Sequence, residues 1–271
     1  MDELTLSPKM FERFCRLVYD KAGIALGPQK EALVSARIGK RMRALGLATY
    51  EDYYRRVEDD ASGEELVEML NAISTNVTHF FREARHFEIL RDLLRQWEAA
   101  GQSSYRVWCA AASTGEEPYT IAMTLRSSLR DASDVKILAT DISTKVLQIA
   151  KAGVYEARHL EKVPERMAKI YFRKRATSEE RRFEVADELK RMITFARLNL
   201  AHPPYPMKGP FDVVFCRNVM IYFDNVVRKG LLAEAWRLLK PGGYLMVGHA
   251  ESLSGMLSDF KSVEPSVYVK E

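Results

Sequence analysis

The stretch YRVWCAAASTGEEPYTIA (105–122) combines a short apolar run, a turn of small residues and a helical pattern. The apolar run is typical of a buried strand, and the small residues after it let a ligand approach the backbone closely. The helix that follows would offer free N–H groups at its N-terminus. The segment therefore predicts the first strand–turn–helix unit of an α/β sheet that binds a ligand.

The residues of this turn narrow the kind of ligand. The turn contains neither GxGxxG nor GK[ST], which argues against a dinucleotide fingerprint and a phosphate loop. Glu116 and Glu117 would repel a pyrophosphate, but they suit a cationic ligand such as S-adenosylmethionine, with its ammonium and sulfonium groups. The alternative is a plain tight turn in which the two acids favour the helix dipole.

Similar units follow toward the C-terminus. The segments VKILATDI (135–142), FDVVFCRN (211–218) and YLMVGHAE (244–251) are apolar runs, and helical patterns separate them. Strands that alternate with helices predict a doubly wound, mostly parallel Rossmann-like sheet. Between about 155 and 192 the pattern breaks into polar sequence with two weak strand candidates, so we expect a small antiparallel β-subdomain inserted there.

Toward the N-terminus the sequence carries only helical patterns. Thr49 with Asp52, and Ser62 with Glu65, fit the capping box of a helix N-terminus. We therefore expect an N-terminal all-helical domain over 1–75, a linker and connecting helix over 76–100, and the sheet-bearing domain over 101–271.

Polar residues stand at or just after the ends of the predicted strands. Asp141 is placed to accept both hydroxyls of a ribose, although it could instead cap the next helix. Asn199 could read an adenine edge or be an ordinary turn residue. Arg217 and Asn218 end a later strand on the ligand-binding edge, and Tyr222 follows one helical turn on, where core packing is its alternative role.

Composition excludes several classes of protein. Of the 271 residues, 47 % are hydrophobic and 29 % are charged, which is typical of a globular chain and not of a disordered one. No apolar run reaches the ~18 residues of a membrane span, and we expect no signal peptide. The three cysteines and five histidines are scattered, so we expect reduced thiols in a cytoplasmic protein without a metal site. The net charge of +4 by itself favours neither nucleic acid nor membrane.

Several motifs together resemble one family. STNVTHFFRE (74–83), the segment 106–122, ATDIS (139–143), PFDVVFCRNVMIYFD (210–224) and LLKPGGYLMVGHAES (238–252) resemble the chemotaxis protein methyltransferases, the CheR family. The likeness covers nearly the whole chain in the family's order. It implies transfer of a methyl group from S-adenosylmethionine to glutamate carboxylates of methyl-accepting chemoreceptors. The products are glutamate methyl esters and S-adenosylhomocysteine.

The resemblance also implies roles for residues of this chain. It assigns Arg82 and Tyr222 to catalysis. A glutamate carboxylate is already ionised at pH 7, since its reference pKa is roughly 4.3, so it needs placement and not a general base. An arginine could hold one carboxylate oxygen while the other attacks the methyl group. The cofactor-binding positions that we expect are Asn76, Thr78, Arg82, Gly115, Glu117, Asp141, Asn199, Leu200, Arg217 and Asn218.

The second predicted helix, from Pro28 to about Leu45, is basic. Lys30, Arg37 and Arg41 form a stripe on it, which from the pattern alone would be a solvated face. The resemblance shifts the interpretation, because the family's N-terminal helices are thought to face the acidic methylation helices of receptors. The receptor-binding residues that we expect are Arg37, Lys40, Arg41 and Arg43.

Other partners and activities are weighed against this interpretation. We expect a monomer that binds receptors, without nucleic acid or membrane insertion, and further regulatory partners stay open. The alternatives are a methyltransferase for RNA or small molecules and a regulator that binds S-adenosylmethionine and grips nucleic acid with the basic helix. Some family members dock a receptor's C-terminal peptide on the inserted subdomain through a glycine-bearing turn. Here no glycine occurs between Gly153 and Gly209, so we expect no such tether.

Overall fold

The structure is a computed structural model that describes residues 6–73, 78–130, 133–175, 181–251, 253, 255–256 and 259–271. The chain divides into two compact units. One comprises Met1–Val77 with Tyr222–Arg228, and the other comprises Thr78–Ile221 with Lys229–Glu271. No helix of the described part is both long and apolar enough to cross a bilayer.

The first unit is helical, as the sequence predicts. A 3₁₀ turn, Pro28–Lys30, precedes the second helix. Ser7 caps the first helix by accepting a hydrogen bond from the Met10 amide, and Gly23 ends that helix in the left-handed conformation at φ 68°. The helices are α1 (Pro8–Ala22), α2 (Glu31–Leu45), α3 (Tyr50–Glu58) and α4 (Glu64–Ile73). Their apolar faces bury a core that includes Phe14, Val18, Val34, Ile38, Met42, Tyr53 and Met69.

One of the two predicted capping boxes is wrong. At the start of α3 one half of the predicted box forms: the Thr49 hydroxyl accepts from the Asp52 amide, and it donates to the Asp52 carboxylate. At α4, however, the Glu65 amide donates to the Asp60 carboxylate, 2.7 Å away, and not to Ser62. The Glu65 side chain does not reach back to cap its own helix, because it is bound to Arg41 instead.

The second unit contains the predicted mostly parallel sheet. Helix α5 (Arg85–Ala99) precedes the sheet. Its strands in the described part of the chain are β1 (Ser104–Cys109), β2 (Asp134–Asp141), β6 (Ile193–Arg197), β7 (Phe211–Cys216), β8 (Leu239–Val247), β9 (Phe260–Glu264) and β10 (Val267–Lys270). They lie in the order β6-β2-β1-β7-β8-β10-β9. The pairs from β6 to β8 are parallel, and the two pairs at the far edge are antiparallel. The helices between them are α6 (Glu116–Ser128), α7 (Thr144–Ala152) and α10 (Asn225–Leu238).

The break in the pattern is a separate small sheet, as predicted. Its elements are β3 (Val154–Glu156), α8 (Glu165–Tyr171), β4 (Phe172–Arg175), β5 (Arg182–Val185) and α9 (Asp187–Met192). The antiparallel strands have the order β3-β5-β4, and both weak strand candidates form strands.

The middle of the main sheet is fully buried and sets the geometry of one edge. Every residue of β7 is buried, and the ring of Phe215 stacks on that of Phe87 in α5 at 5.8 Å. Fully buried strands read as continuous apolar runs, which is why the sequence identified β7 so readily. Since β1, β2 and β7 run parallel, their carboxyl ends, at residues 109, 141 and 216, face the same edge of the sheet.

Candidate active site

The turn after β1 is tied to the end of β2. The Ser113 amide donates to Oδ2 of Asp141 over 2.9 Å, and the Ser143 amide donates to Oδ1 over 3.0 Å. The cap of α7 is Ser143, whose hydroxyl accepts from the Val146 amide, so the capping alternative for Asp141 is wrong. Burial raises the pKa of Asp141, and these two amides oppose the rise. Each carboxylate oxygen keeps acceptor capacity for a further donor.

Packing around position 115 explains why a glycine occurs there. It lies at φ 101° immediately before α6, in the region that favours glycine. A Cβ there would lie 2.6 Å from the Tyr155 hydroxyl and 2.9 Å from Cα of Ala150. The close approach of α7 and β3 therefore explains this glycine, and its contact with a cofactor stays a prediction.

A buried arginine joins the first turn of α6 to the end of β7. The Arg217 guanidinium donates to Oε2 of Glu117 at 2.8 Å and to Oε2 of Glu83 at 2.9 Å. It also donates to the carbonyl of Arg82. The Cys109 thiol donates to the other oxygen of Glu117, 3.2 Å away. Three segments distant in sequence thus meet through one side chain, which is 4 % exposed as a residue.

The protonation equilibria of this network follow from burial and from the arginine. Burial raises the pKa of the Glu117 carboxyl, and the positive charge of Arg217 opposes that rise. Burial acts on Glu83 in the same direction, but hydrogen bonds from Arg217 and Asn218 outweigh it and lower the pKa of Glu83. Burial also raises the pKa of the Cys109 thiol well above its usual range, so this thiol is a neutral donor.

Asn218 is held by two carboxylates. At φ 58° its backbone is in the left-handed region; its amide donates to Oε2 of Glu251 at 2.8 Å, and its Nδ2 donates to Oε1 of Glu83 at 3.3 Å. This orientation leaves the side-chain carbonyl as the end that can accept a hydrogen bond from a ligand. Glu251 is buried and also accepts from the amides of Met220, Ile221 and Gly248.

The predicted adenine neighbours follow the edge strand β6. Asp141 pairs with Arg197 in the β2–β6 register, so Asn199 and Leu200 come just beyond that point. Oδ1 of Asn199 accepts from the Ala201 amide, 3.0 Å away, and Leu200 is buried. Asn199 is therefore a turn residue, which is the alternative to a role in binding adenine. Its contact with adenine stays a prediction.

The remaining predicted residues fall in different places. Arg82 is half-buried, and its positive charge opposes the rise in the pKa of Glu117. Thr78 begins the second unit, whereas Asn76 lies outside the described residues. Tyr222 belongs to the first unit, where its carbonyl accepts from the Ala25 amide at 2.8 Å. Of all the predicted residues, the described network brings Arg82, Glu117, Arg217 and Asn218 together.

Sequence reasoning missed Glu83 and Glu251, which hold the site together. Both end quoted motifs, FFRE and GHAE, but their acids carry no spacing signal of their own. The backbone of Glu83 lies in the left-handed region at φ 54°, which is uncommon for a residue other than glycine. This signal of an unusual site comes from the structure and not from the sequence.

The basic helix is not a uniformly solvated stripe. Arg41 forms a double hydrogen bond to Glu65, at 2.8 and 2.7 Å, and Arg37 donates to the carbonyl of Ala72. Lys40 and Arg43 are exposed. Two of the four predicted receptor contacts therefore have partners inside their own unit, which the helical pattern could not reveal.

Comparison with known proteins places the chain. Residues 9–74 match the family described as "CheR methyltransferase, all-alpha domain", and residues 76–269 match "CheR methyltransferase, SAM binding domain". The chain belongs to the CheR methyltransferase family. It is 41 % identical over 266 residues to the chemotaxis protein methyltransferase of Salmonella typhimurium. This alignment covers 98 % of this chain and 91 % of the relative.

Other relatives agree. The Escherichia coli chemotaxis protein methyltransferase is 40 % identical over 268 residues, covering 98 % of this chain and 92 % of its own length. A probable chemotaxis protein methyltransferase of Rhizobium etli is 43 % identical over 246 residues, with coverage of 88 % and 91 %. The predicted family, fold class and activity are confirmed: this CheR protein is an S-adenosylmethionine-dependent methyltransferase of chemotaxis.

Proposed function

We propose that this CheR protein methylates glutamate side chains of methyl-accepting chemoreceptors, producing glutamate methyl esters. The observation that carries the proposal is the set of acceptors at the carboxyl edge of the sheet: Asp141, Glu117 and the carbonyl end of Asn218. A nucleoside with a cationic amino-acid tail needs acceptors of this kind, for two hydroxyls and for an ammonium group.

The residues fit S-adenosylmethionine. When bound, it supplies a methyl group on a positively charged sulfonium. Both oxygens of Asp141 can take a ribose hydroxyl in addition to the backbone amide that each already accepts. Glu117 and Asn218 would receive the ammonium group, while Arg217 fixes the position of Glu117. Asn199 and Leu200 would border the adenine, with Thr78 and Asn76 at the methionine end.

The substrate carboxylate calls for positioning. Since a glutamate is ionised at neutral pH, the chain must desolvate it and aim one oxygen at the methyl group. We assign Arg82 to hold the other oxygen, because a guanidinium matches carboxylate geometry. Tyr222 would fix the reacting end of the cofactor. The relatives are named as chemotaxis protein methyltransferases, which supports receptor carboxylates as the substrate class.

A transfer assay with methyl-labelled cofactor tests the proposal. We expect base-labile label on receptor-bearing membranes, because methyl esters hydrolyse in base. An Arg82→Ala variant that still binds S-adenosylhomocysteine is the matched control and should transfer far less label. Label on RNA, or no transfer at all with intact cofactor binding, would overturn the proposal.

A further inference from the structure

His86 is a buried imidazole without a hydrogen-bond partner among the described residues. It lies in the first turn of α5 and is 0 % exposed, and neither Nδ1 nor Nε2 has a donor or acceptor within reach there. Oε2 of the Glu83 carboxylate lies 3.6 Å from Nδ1. Buried polar atoms normally find partners, so an unpaired imidazole calls for an explanation.

A second histidine faces the first. His249, in the turn after β8, has its ring centroid 5.2 Å from that of His86, with the planes 69° apart. The backbone amide of His249 donates to Oε1 of Glu83, which ties the turn to the same carboxylate. One ligand atom from each of Glu83, His86 and His249 lies within 4.8 Å of the others. His249 is exposed, so the group is open to solvent on that side.

We propose that Glu83, His86 and His249 form a binding site for a divalent transition metal ion of the Zn²⁺ type. Imidazole nitrogens and a carboxylate are the ligands that such ions prefer, with metal–ligand distances of about 2.0–2.2 Å. Ligand atoms around one ion are then separated by about 3–4 Å, which a small movement of the exposed His249 ring would provide. Water would occupy the fourth position, on the open side. Mg²⁺ and Ca²⁺ are poor candidates, because they select oxygen ligands.

Arg217 sets the strength of this site. It donates to Oε2 of Glu83, and its positive charge opposes a second cation nearby. A carboxylate has about four acceptor positions, so Glu83 can hold an ion and keep the guanidinium. We therefore expect micromolar and not nanomolar affinity. The scattered histidines predicted no metal site, because the sequence separates His86 and His249 widely and only the fold brings them together.

Metal titration of the untagged full-length protein tests the proposal. Calorimetry with Zn²⁺ should show one ion per chain, and Co²⁺ should give the visible absorption of a bound ion with nitrogen ligands. His249→Ala should weaken binding at least ~10-fold, because loss of even an indirect support costs that much. His202→Ala removes another exposed histidine outside the cluster and is the matched control.

Three results would overturn the inference. The first is the absence of stoichiometric binding at Zn²⁺ concentrations of roughly 100 micromolar, about a hundred times the expected dissociation constant. The second is equal Zn²⁺ affinity in the wild type and in His249→Ala. The third is a loss of Zn²⁺ affinity in His202→Ala as large as that in His249→Ala. Because His249 is exposed, its replacement by alanine should leave the fold intact, and circular dichroism of each variant verifies this. None of these readouts depends on methyl transfer, so the outcome is separate from that of the proposed function.

Discussion

Asp141 concentrates two tasks in one carboxylate. It ties the turn after β1 to β2 through the Ser113 amide, and we propose that it also accepts the ribose hydroxyls. We expect Asp141→Asn to weaken S-adenosylhomocysteine binding by about 1.5–3 kcal/mol, the usual size of a lost charge-assisted hydrogen bond. Asp141→Ala should lose more, because it removes the acceptor of both the Ser113 and the Ser143 amide.

Calorimetry measures both affinities. Thermal melting of each variant is the control, because the Asn amide group would face one of the two backbone amides that the carboxylate accepts and should lower stability without unfolding the chain. Unchanged affinity in a folded Asp141→Asn variant would rule out the ribose assignment.

Glu117 should make cofactor binding depend on pH. Its pKa is raised by burial, so as the pH falls Glu117 takes up a proton before an exposed glutamate would. An ammonium group binds the ionised form better; affinity for S-adenosylhomocysteine should therefore be lowest in acid and rise with pH through a window above the ordinary Glu value. Binding measured from pH 5 to 8 should show this rise in the wild type. Glu117→Gln should bind weakly with a flatter profile, and an equally steep profile in that variant would assign the effect to another group.

At the level of elements, one carboxylate shapes the segment that follows β7. Glu251 accepts four backbone amides, from Asn218, Met220, Ile221 and Gly248. Glu251→Gln keeps the size of the side chain but replaces one acceptor oxygen by a donor that faces those amides. We expect unfolding in urea to show a loss of about 1–3 kcal/mol, together with weaker cofactor binding through a displaced Asn218.

An exposed glutamate provides the comparison. Glu88→Gln removes only a surface ion pair with Arg85, half-exposed on both sides, and should change the free energy of unfolding by less than about 1 kcal/mol. Similar effects of the two substitutions would mean that the amide cluster around Glu251 contributes little.

The basic side chains of helix α2 are of two kinds, those paired within their own unit and those exposed to solvent. Arg41→Glu would place a like charge beside the buried Glu65 and should lower stability markedly. Lys40→Glu with Arg43→Glu changes only exposed side chains and should leave stability unchanged. If this face meets acidic receptor helices, the double reversal should raise the Michaelis constant for receptor without affecting cofactor affinity, and added salt should weaken wild-type association.

Michaelis constants and urea unfolding of the two variants decide between these roles. A normal, salt-independent Michaelis constant in the exposed double reversal would leave α2 as a solvated face. Unchanged stability in Arg41→Glu would contradict the structural role of its pair with Glu65.

Across the whole molecule, the sequence predicted what depends on local pattern. Continuous apolar runs identified β1, β2 and β7, and small residues identified the turn between β1 and α6. The contacts that shape the site are long-range, and no pattern encodes them: Arg217 reaches Glu83, Asn218 reaches Glu251, and His86 meets His249. The capping error at Ser62 has the same origin, because Glu65 is held by a partner from another helix.

The small sheet bears on how the enzyme reaches its receptors. Its order β3-β5-β4 leaves β4 as an outer strand, on which a peptide could add a further strand. Arg173, Lys174 and Arg175 of that strand are exposed, and charged side chains on an outer strand discourage pairing. Residues 176–180, between β4 and β5, lie outside the described residues, but their sequence ATSEE contains no glycine that would let a peptide backbone approach closely.

We therefore expect this enzyme to methylate receptors without a C-terminal tether. Titration with peptides from receptor C-termini should show no micromolar binding, and receptors that lack this peptide should be methylated with an unchanged Michaelis constant. A variant with glycines replacing residues 176–180 tests the cause, because binding gained by that variant would identify these residues as the obstacle. Micromolar binding to the wild type, lost when 173–182 is replaced, would contradict the prediction, since the exposed charges would then guide a peptide onto β4 instead of excluding it.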